Sequence, residues 1–241
     1  MPCAEDQLTP SANRPAPPAA VLEGIAGYVP AGVVANAGLP SAWGVDDAWV
    51  RRRTGIRERR RAAPGVSTGD LALEAGRRAL TVAGGAPVDT VLVAASTPDR
   101  PMPAMAPRLA TRLGLGGAAA WDVSAACSGF VYGLATAAGA LLSGCADRVL
   151  LVAAEVYSTL LDPDDRSAGI VFGDGAGAVV LRRGLLGEPG SVLAFDLGSD
   201  GSGDELIEVR GGGARERATP AAYGPGAGSS ACGAARCSST P

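Results

Sequence analysis

The sequence predicts an α/β fold, a layered and largely parallel sheet around a buried helix, and three observations carry that expectation. Two continuous apolar runs rich in branched residues, 90–96 (TVLVAAS) and 148–153 (RVLLVA), read as strands covered on both faces. Helical patterns alternate with such runs along the chain, as they do where crossover helices join parallel strands. The helical stretch 127–143 contains no charged residue, so burial on all sides is expected of it.

The elements follow in order. Residues 1–19, rich in Pro and Ala, read as a disordered tail. Residues 21–29 make a first strand, stopped by Pro30. Residues 46–61 carry Trp49 and a dense run of arginines. Thr68 caps a helix through Val82, with Leu71, Ala75, Ala79 and Val82 on one face. A strand over 90–96, a helix over 104–113, a strand over 118–123, the apolar helix and a strand from Arg148 come next. Gly173-Asp174-Gly175-Ala176-Gly177-Ala178 reads as a glycine-rich turn into a strand, and 192–197 as a further strand. These define one domain over 20–217. Residues 218–241 show no period and are dominated by Gly, Ala, Ser and Pro, so they read as disordered or out-of-frame sequence.

Composition narrows the function. The chain has 241 residues, 47% of them hydrophobic, enough for one sizeable core, and only 4% aromatic, so Ala, Val, Leu and Ile must build it. A net charge of −3 gives no support to nucleic-acid binding. Five cysteines (Cys3, Cys127, Cys145, Cys232 and Cys237) form no CxxC pair, which argues against a disulfide framework and a zinc site. No apolar signal run opens the chain, and every apolar stretch reads as too interrupted to span a bilayer. No membrane association is therefore expected, and the cytoplasm is the default location.

Cys127 stands where a short strand gives way to the apolar helix, among Ala125, Ala126, Ser128 and Gly129. The thiolate is the reactive form of cysteine. First-turn N–H groups of a helix are unpaired and favour an anion by about 0.3–1 kcal/mol. The small neighbours leave room for a substrate. The competing reading is a small hydrophobe in a buried helix.

Four segments, in order, resemble the β-ketoacyl-acyl carrier protein synthase III family. Asp122-Val123-Ser124-Ala125-Ala126-Cys127-Ser128-Gly129-Phe130 is similar to its active-site segment. Trp49-Val50-Arg51-Arg52-Arg53-Thr54-Gly55-Ile56-Arg57-Glu58-Arg59 resembles its Trp-x-x-x-Arg-Thr-Gly-Ile-x-x-Arg signature. Asp162-Pro163-Asp164-Asp165-Arg166 with Phe172-Gly173-Asp174-Gly175-Ala176-Gly177-Ala178, and Leu197-Gly198-Ser199-Asp200-Gly201, resemble two more. The resemblance spans about residues 20 to 210.

The resemblance implies the N-terminal half of a thiolase-like fold, in a homodimer. It implies that Cys127 takes an acyl group from acyl-coenzyme A, a substrate rather than a cofactor, and condenses it with malonyl-acyl carrier protein. On this resemblance Trp49 stacks on the adenine, and Arg53 and Arg166 meet the nucleotide and phosphate part, as an indole face and a guanidinium can. The same resemblance implies that Met102 and Phe172 line the acyl pocket, Met102 near the dimer contact. From the residues alone, Trp49 could equally be helix packing, and Arg166 could bridge to Asp164 or Asp165.

The family's histidine and asparagine partners have no counterpart. The chain has no histidine, and Asn13 and Asn36 lie far from the motif position. The expectation is a truncated, impaired condensing enzyme of fatty acid or polyketide initiation. Two other readings stay open: a starter-unit acyltransferase of a polyketide pathway, and a non-catalytic fragment that pairs with another chain.

Overall fold

The computed structural model describes residues 16–209, 211, 212 and 214. The cysteines at 3, 232 and 237, Asn13 and the whole segment 218–241 lie outside them. In chain order the elements are β1 (Pro18–Tyr28), β2 (Gly32–Ala35), α1 (Asp47–Thr54), β3 (Glu58–Arg61), α2 (Thr68–Val82), β4 (Thr90–Ala94), α3 (Met105–Arg112), β5 (Ala119–Val123), α4 (Gly129–Ser143), β6 (Arg148–Val156), α5 (Arg166–Gly169) and β7 (Asp174–Leu185).

Five strands form one sheet in the order β1-β7-β6-β4-β5, and β2 pairs with β3 apart from it. β4 is buried at every position and runs parallel to both neighbours, β5 and β6. Its Val-Leu-Val run sends alternate residues to opposite faces. Val91 and Val93 join α2 and α3 in one core, with Leu150, Val152 and Val180. Leu92 joins the other core with Leu151, Val179 and Leu181, under Ala137 and Leu141 of α4.

The sheet is mixed rather than largely parallel, because β7 runs antiparallel to β6 and β1 antiparallel to β7. A parallel return needs a crossover, usually a helix. Between β6 and β7 the chain has only short turns and the four-residue α5, so it doubles back. The glycines of Gly173–Gly177 lie at the start of and within β7 instead of in a turn before it. At Gly173 the β3 backbone comes close: a Cβ there would sit 3.0 Å from the Arg60 carbonyl oxygen. Two strand boundaries also move. β1 begins at Pro18, inside the segment read as a tail. Residues 192–197 form no strand: Val192 N–H donates to the Ala20 carbonyl at 2.8 Å, and regular pairing stops there.

α4 departs most from its expectation. Its buried residues are Gly129, Gly133, Ala137, Ala138 and Leu141, one face packed on the sheet. The opposite face is open, with Val131 at 45% and Leu142 at 49% exposure. The missing charges mark a helix whose second face has no cover among the described residues, not one surrounded by them. Gly133 sets the packing distance, since a Cβ there would lie 2.7 Å from Leu151 Cδ1. The stretch Ala126–Ser143 is also uninterrupted, and by length and composition could cross a bilayer, contrary to the sequence reading. Its small-residue face on the sheet makes it a core helix of this domain.

α2 starts one residue earlier than read: Ser67, not Thr68, is the cap. Ser67 and Asp70 form a reciprocal box, with Ser67 N–H donating to Asp70 Oδ2 at 3.0 Å. Thr68 is buried, with its hydroxyl 2.9 Å from that of Thr97. The Ser67 backbone bond, then those from Arg112 and the Ser67 hydroxyl, hold the Asp70 carboxyl below the usual carboxylate range, against a smaller opposing effect of burial. A depressed folded-state value means that Asp70 contributes stability at and above the ordinary carboxylate range. That contribution is lost as pH falls through the depressed value. Asp70→Asn should therefore flatten the acid limb of a thermal-stability profile, by a few tenths of a kcal/mol to about 1 kcal/mol at neutral pH given its partial exposure. An unchanged acid limb would remove Asp70 from that role.

Candidate active site

Cys127 sits just beyond the carboxyl end of β5, where β4 and β6 also end and where open parallel sheets bind ligands. It lies in a 3-10 turn, Ala126–Ser128, and not in the first turn of α4 as the sequence reading had it. Ser128 N–H is spent on the Ala125 carbonyl at 3.0 Å, so fewer unpaired N–H groups surround the sulfur than at a plain helix start. Ala126 has φ +43°, a left-handed conformation costly for alanine. It turns the chain sharply from strand to helix and leaves Cys127 exposed. Backbone strain of this kind gathers at functional corners.

The sulfur opens onto a cavity of about 260 Å³. Its walls are small: Ala94 from β4, Ala153 and Ala154 from β6, and Gly175, Ala176 and Gly177 from β7, with Phe130 at the side. Glu155 is its one acidic wall residue. The small residues at the head of β7 therefore serve the site, and Cys127 is not a buried core hydrophobe.

A second cluster is built from α1 and α5. Asp46 caps α1 by accepting from Trp49 N–H at 2.6 Å, and Gly55 ends the helix in the left-handed conformation. Trp49 is thereby fixed, half-buried, with the Arg53 guanidinium 4.8 Å and the Arg166 guanidinium 5.5 Å from its ring centroid. Arg166 makes no ion pair with Asp164 or Asp165 among the described residues. Asp165 instead caps α5, and Arg166 donates to the Trp43 carbonyl at 3.2 Å. Trp43 is a residue the sequence reading missed. Its indole N–H donates to the Pro163 carbonyl at 3.2 Å, and its ring lies so close over Gly169 that no Cβ could fit there. The arrangement offers a flat aromatic face beside two exposed cations, a surface for a base and a phosphate.

The remaining arginines divide. Arg59 is 4% exposed and structural, with Nη1 donating to Asn36 Oδ1 at 2.9 Å and the guanidinium also on the Ile170 carbonyl. The Asn36 amide donates to Asp47 Oδ1 and to the Ile56 carbonyl, each at 2.8 Å, so Asn36 is fully engaged in holding α1. The Asn36 bond, then Arg51, holds the Asp47 carboxyl below the usual range.

Met102 and Phe172 do not line the Cys127 cavity. Met102 is 81% exposed on the segment between β4 and α3. Phe172 is half-buried and stacks on Tyr157 with ring centroids 4.2 Å apart. Sequence order could not reveal this, since the Tyr157 ring meets Phe172 only after the chain has turned through α5.

The family model for 3-oxoacyl-[acyl-carrier-protein] synthase III matches residues 121–201, from β5 through Cys127 and β7. β-Ketoacyl-[acyl-carrier-protein] synthase III 2 of Streptomyces coelicolor is 53% identical over 83% of this chain and 60% of its own. The crystal structure of 3-oxoacyl-(acyl carrier protein) synthase III from Pseudomonas aeruginosa superposes with a TM-score of 0.76 at 50% identity, over 79% of this chain and 60% of that one. The priming β-ketosynthase of the R1128 polyketide pathway superposes with a TM-score of 0.65 at 37% identity, over 72% of this chain and 52% of that one. The chain spans about three fifths of the length of the curated relatives it matches. In its thiolase-like α/β sheet and at about half identity over some four fifths of its length, the chain is similar to the β-ketoacyl-acyl carrier protein synthases III of Streptomyces coelicolor and Pseudomonas aeruginosa, and its segment from β5 through β7 matches that family's model.

Proposed function

We propose that Cys127 is the acyl acceptor of a synthase III-type condensing enzyme that starts fatty acid or polyketide chains in the cytoplasm. The thiolate attacks the thioester carbonyl of acyl-coenzyme A. A carbon–sulfur bond forms to Cys127, the bond to coenzyme A breaks, and the coenzyme leaves as its thiol with the proton from Cys127. The acyl group then joins the carbanion that malonyl-carrier protein forms on losing carbon dioxide, which frees the sulfur. The observation that carries the reading is an exposed cysteine on a strained corner, opening onto a cavity of about 260 Å³ walled by alanine and glycine.

The Trp49–Arg53–Arg166 cluster supports acyl-coenzyme A as donor. Without a histidine, this chain has no imidazole to assist decarboxylation. The acyl-transfer half-reaction is accordingly the step we assign to it, and condensation is expected to be impaired by about 10²-fold or more for each missing donor. Pairing with a second copy is part of the reading. β5 is an edge strand with Trp121 at 38% exposure, and its outer edge is unpaired among the described residues. The likeness to a priming β-ketosynthase keeps a starter-unit acyltransferase as the second reading.

Stacking on an aromatic ring is worth about 1–3 kcal/mol per base, so Trp49→Ala should weaken coenzyme A binding roughly 5- to 150-fold. Arg166→Ala should weaken it by a comparable factor, more at low ionic strength than at high. Calorimetric titration with coenzyme A reads both. Wild-type affinity in the two variants would sink the donor assignment.

A further inference from the structure

Glu155 stands on the wall of the Cys127 cavity, and neither the coenzyme cluster nor the nucleophile corner uses it. It is the last residue but one of β6, opposite Gly175 of β7. The strand before it, from Val149 to Val152, is fully buried, so a carboxylate here needs donors. Three converge on it. Oε1 accepts from Ser96 N–H at 2.6 Å; Oε2 accepts from Thr97 N–H at 2.9 Å and from the Thr97 hydroxyl at 2.6 Å. Bonds to a carboxylate are roughly twice as strong as neutral ones. The Thr97 oxygen in turn accepts from Val156 N–H at 3.0 Å. Farther along the same segment, Asp99 accepts from Gly69 N–H at 2.8 Å.

All three donors belong to the segment that follows Ala94, a cavity wall residue, and leads through Met102 to α3. Because the walls are alanine and glycine, backbone spacing sets the size of the cavity. The Glu155 carboxylate ties the ends of β4 and β6 together at that point. We infer that Glu155 is a positioning residue: through Ser96 and Thr97 it fixes the segment after β4 and so sets how bulky a group Cys127 accepts. This deepens the proposed function and, for acyl groups, rests on it.

Glutamine has the size of glutamate but one acceptor oxygen, and its amide group would face an N–H. The test uses the full chain as wild type, Glu155→Gln and Thr97→Val, the last removing one donor while keeping the backbone. Cys127 is modified with iodoacetamide or the bulkier N-ethylmaleimide, and with acetyl- or hexanoyl-coenzyme A. Peptide mass mapping separates Cys127 from Cys145. In Glu155→Gln the bulky-to-small rate ratio should rise about 3- to 10-fold, with less in Thr97→Val, as expected when a pinned wall loosens. Amide exchange over 96–104 should quicken by about 10-fold. Both rates falling together at a constant ratio, or unchanged exchange, would overturn the inference. A wild-type chain that takes neither acyl group would sink the acyl-acceptor reading alone, because the thiol reagents still decide the role of Glu155.

Discussion

Replacing Asp174 with alanine should cost about 3–5 kcal/mol of stability, a large part of what a domain of this size has. Asp174 is 5% exposed and accepts three hydrogen bonds: from Ala62 N–H at 2.7 Å, Ser158 N–H at 2.8 Å and the Ser158 hydroxyl at 2.7 Å. It joins the loop after β3, the turn after β6 and the head of β7, the three pieces that frame the site. Alanine leaves the backbone N–H groups of the half-buried Ala62 and Ser158 without their acceptor. Asp174→Asn keeps one acceptor oxygen and should recover part of the loss. Urea unfolding followed by circular dichroism gives both values. A midpoint for Asp174→Ala within about 1 kcal/mol of wild type would mean that the carboxylate is dispensable.

The second large effect is at the nucleophile. Cys127→Ser changes little in volume and keeps the corner, but a hydroxyl without a base is a far weaker nucleophile than a thiolate. Acyl incorporation from acyl-coenzyme A should fall by at least about 10³-fold, as when other enzymes lose their nucleophile. Coenzyme A binding at the Trp49 cluster should persist, because that surface comes from α1 and α5 and not from the corner. Simultaneous loss of both would indicate misfolding.

The parts of the fold that could be read from sequence are those where local pattern and burial agree. β4 and β6 are continuous apolar runs because helices cover both their faces, and α2 shows its period because only one of its faces meets the core. The antiparallel direction of the β6–β7 return was illegible, since it depends on α5 being too short to cross the sheet. α4 was misread for a different reason. Freedom from charge records that a face avoids water somewhere, not that the described residues cover it, and Val131 and Leu142 are open.

At the candidate site, Cys127, Trp49, Arg53 and Arg166 were named from their motif neighbours, and the structure gathers the last three into one cluster. Trp43 was not, because what makes it matter is a glycine far along the chain, Gly169, that leaves room for its ring. Glu155 was hidden at the end of an apolar run, where only the folded positions of Ser96 and Thr97 explain a carboxylate. Met102 and Phe172 show the converse: motif position named them, yet neither reaches the cavity of its own Cys127.

The central claim is that this corner makes one cysteine an acyl acceptor. The chain supplies its own control, since Cys145 is also free and exposed but follows the far end of α4, about 20 Å away along a helix of that length. The direct measurement is peptide mass mapping of the wild-type chain after a timed incubation with acetyl-coenzyme A, alongside the release of free coenzyme A. The account predicts one acetyl group on the Cys127 peptide, none on the Cys145 peptide, and coenzyme A released in step with it. No acetyl group on Cys127, or equal labelling of the two cysteines, would contradict it.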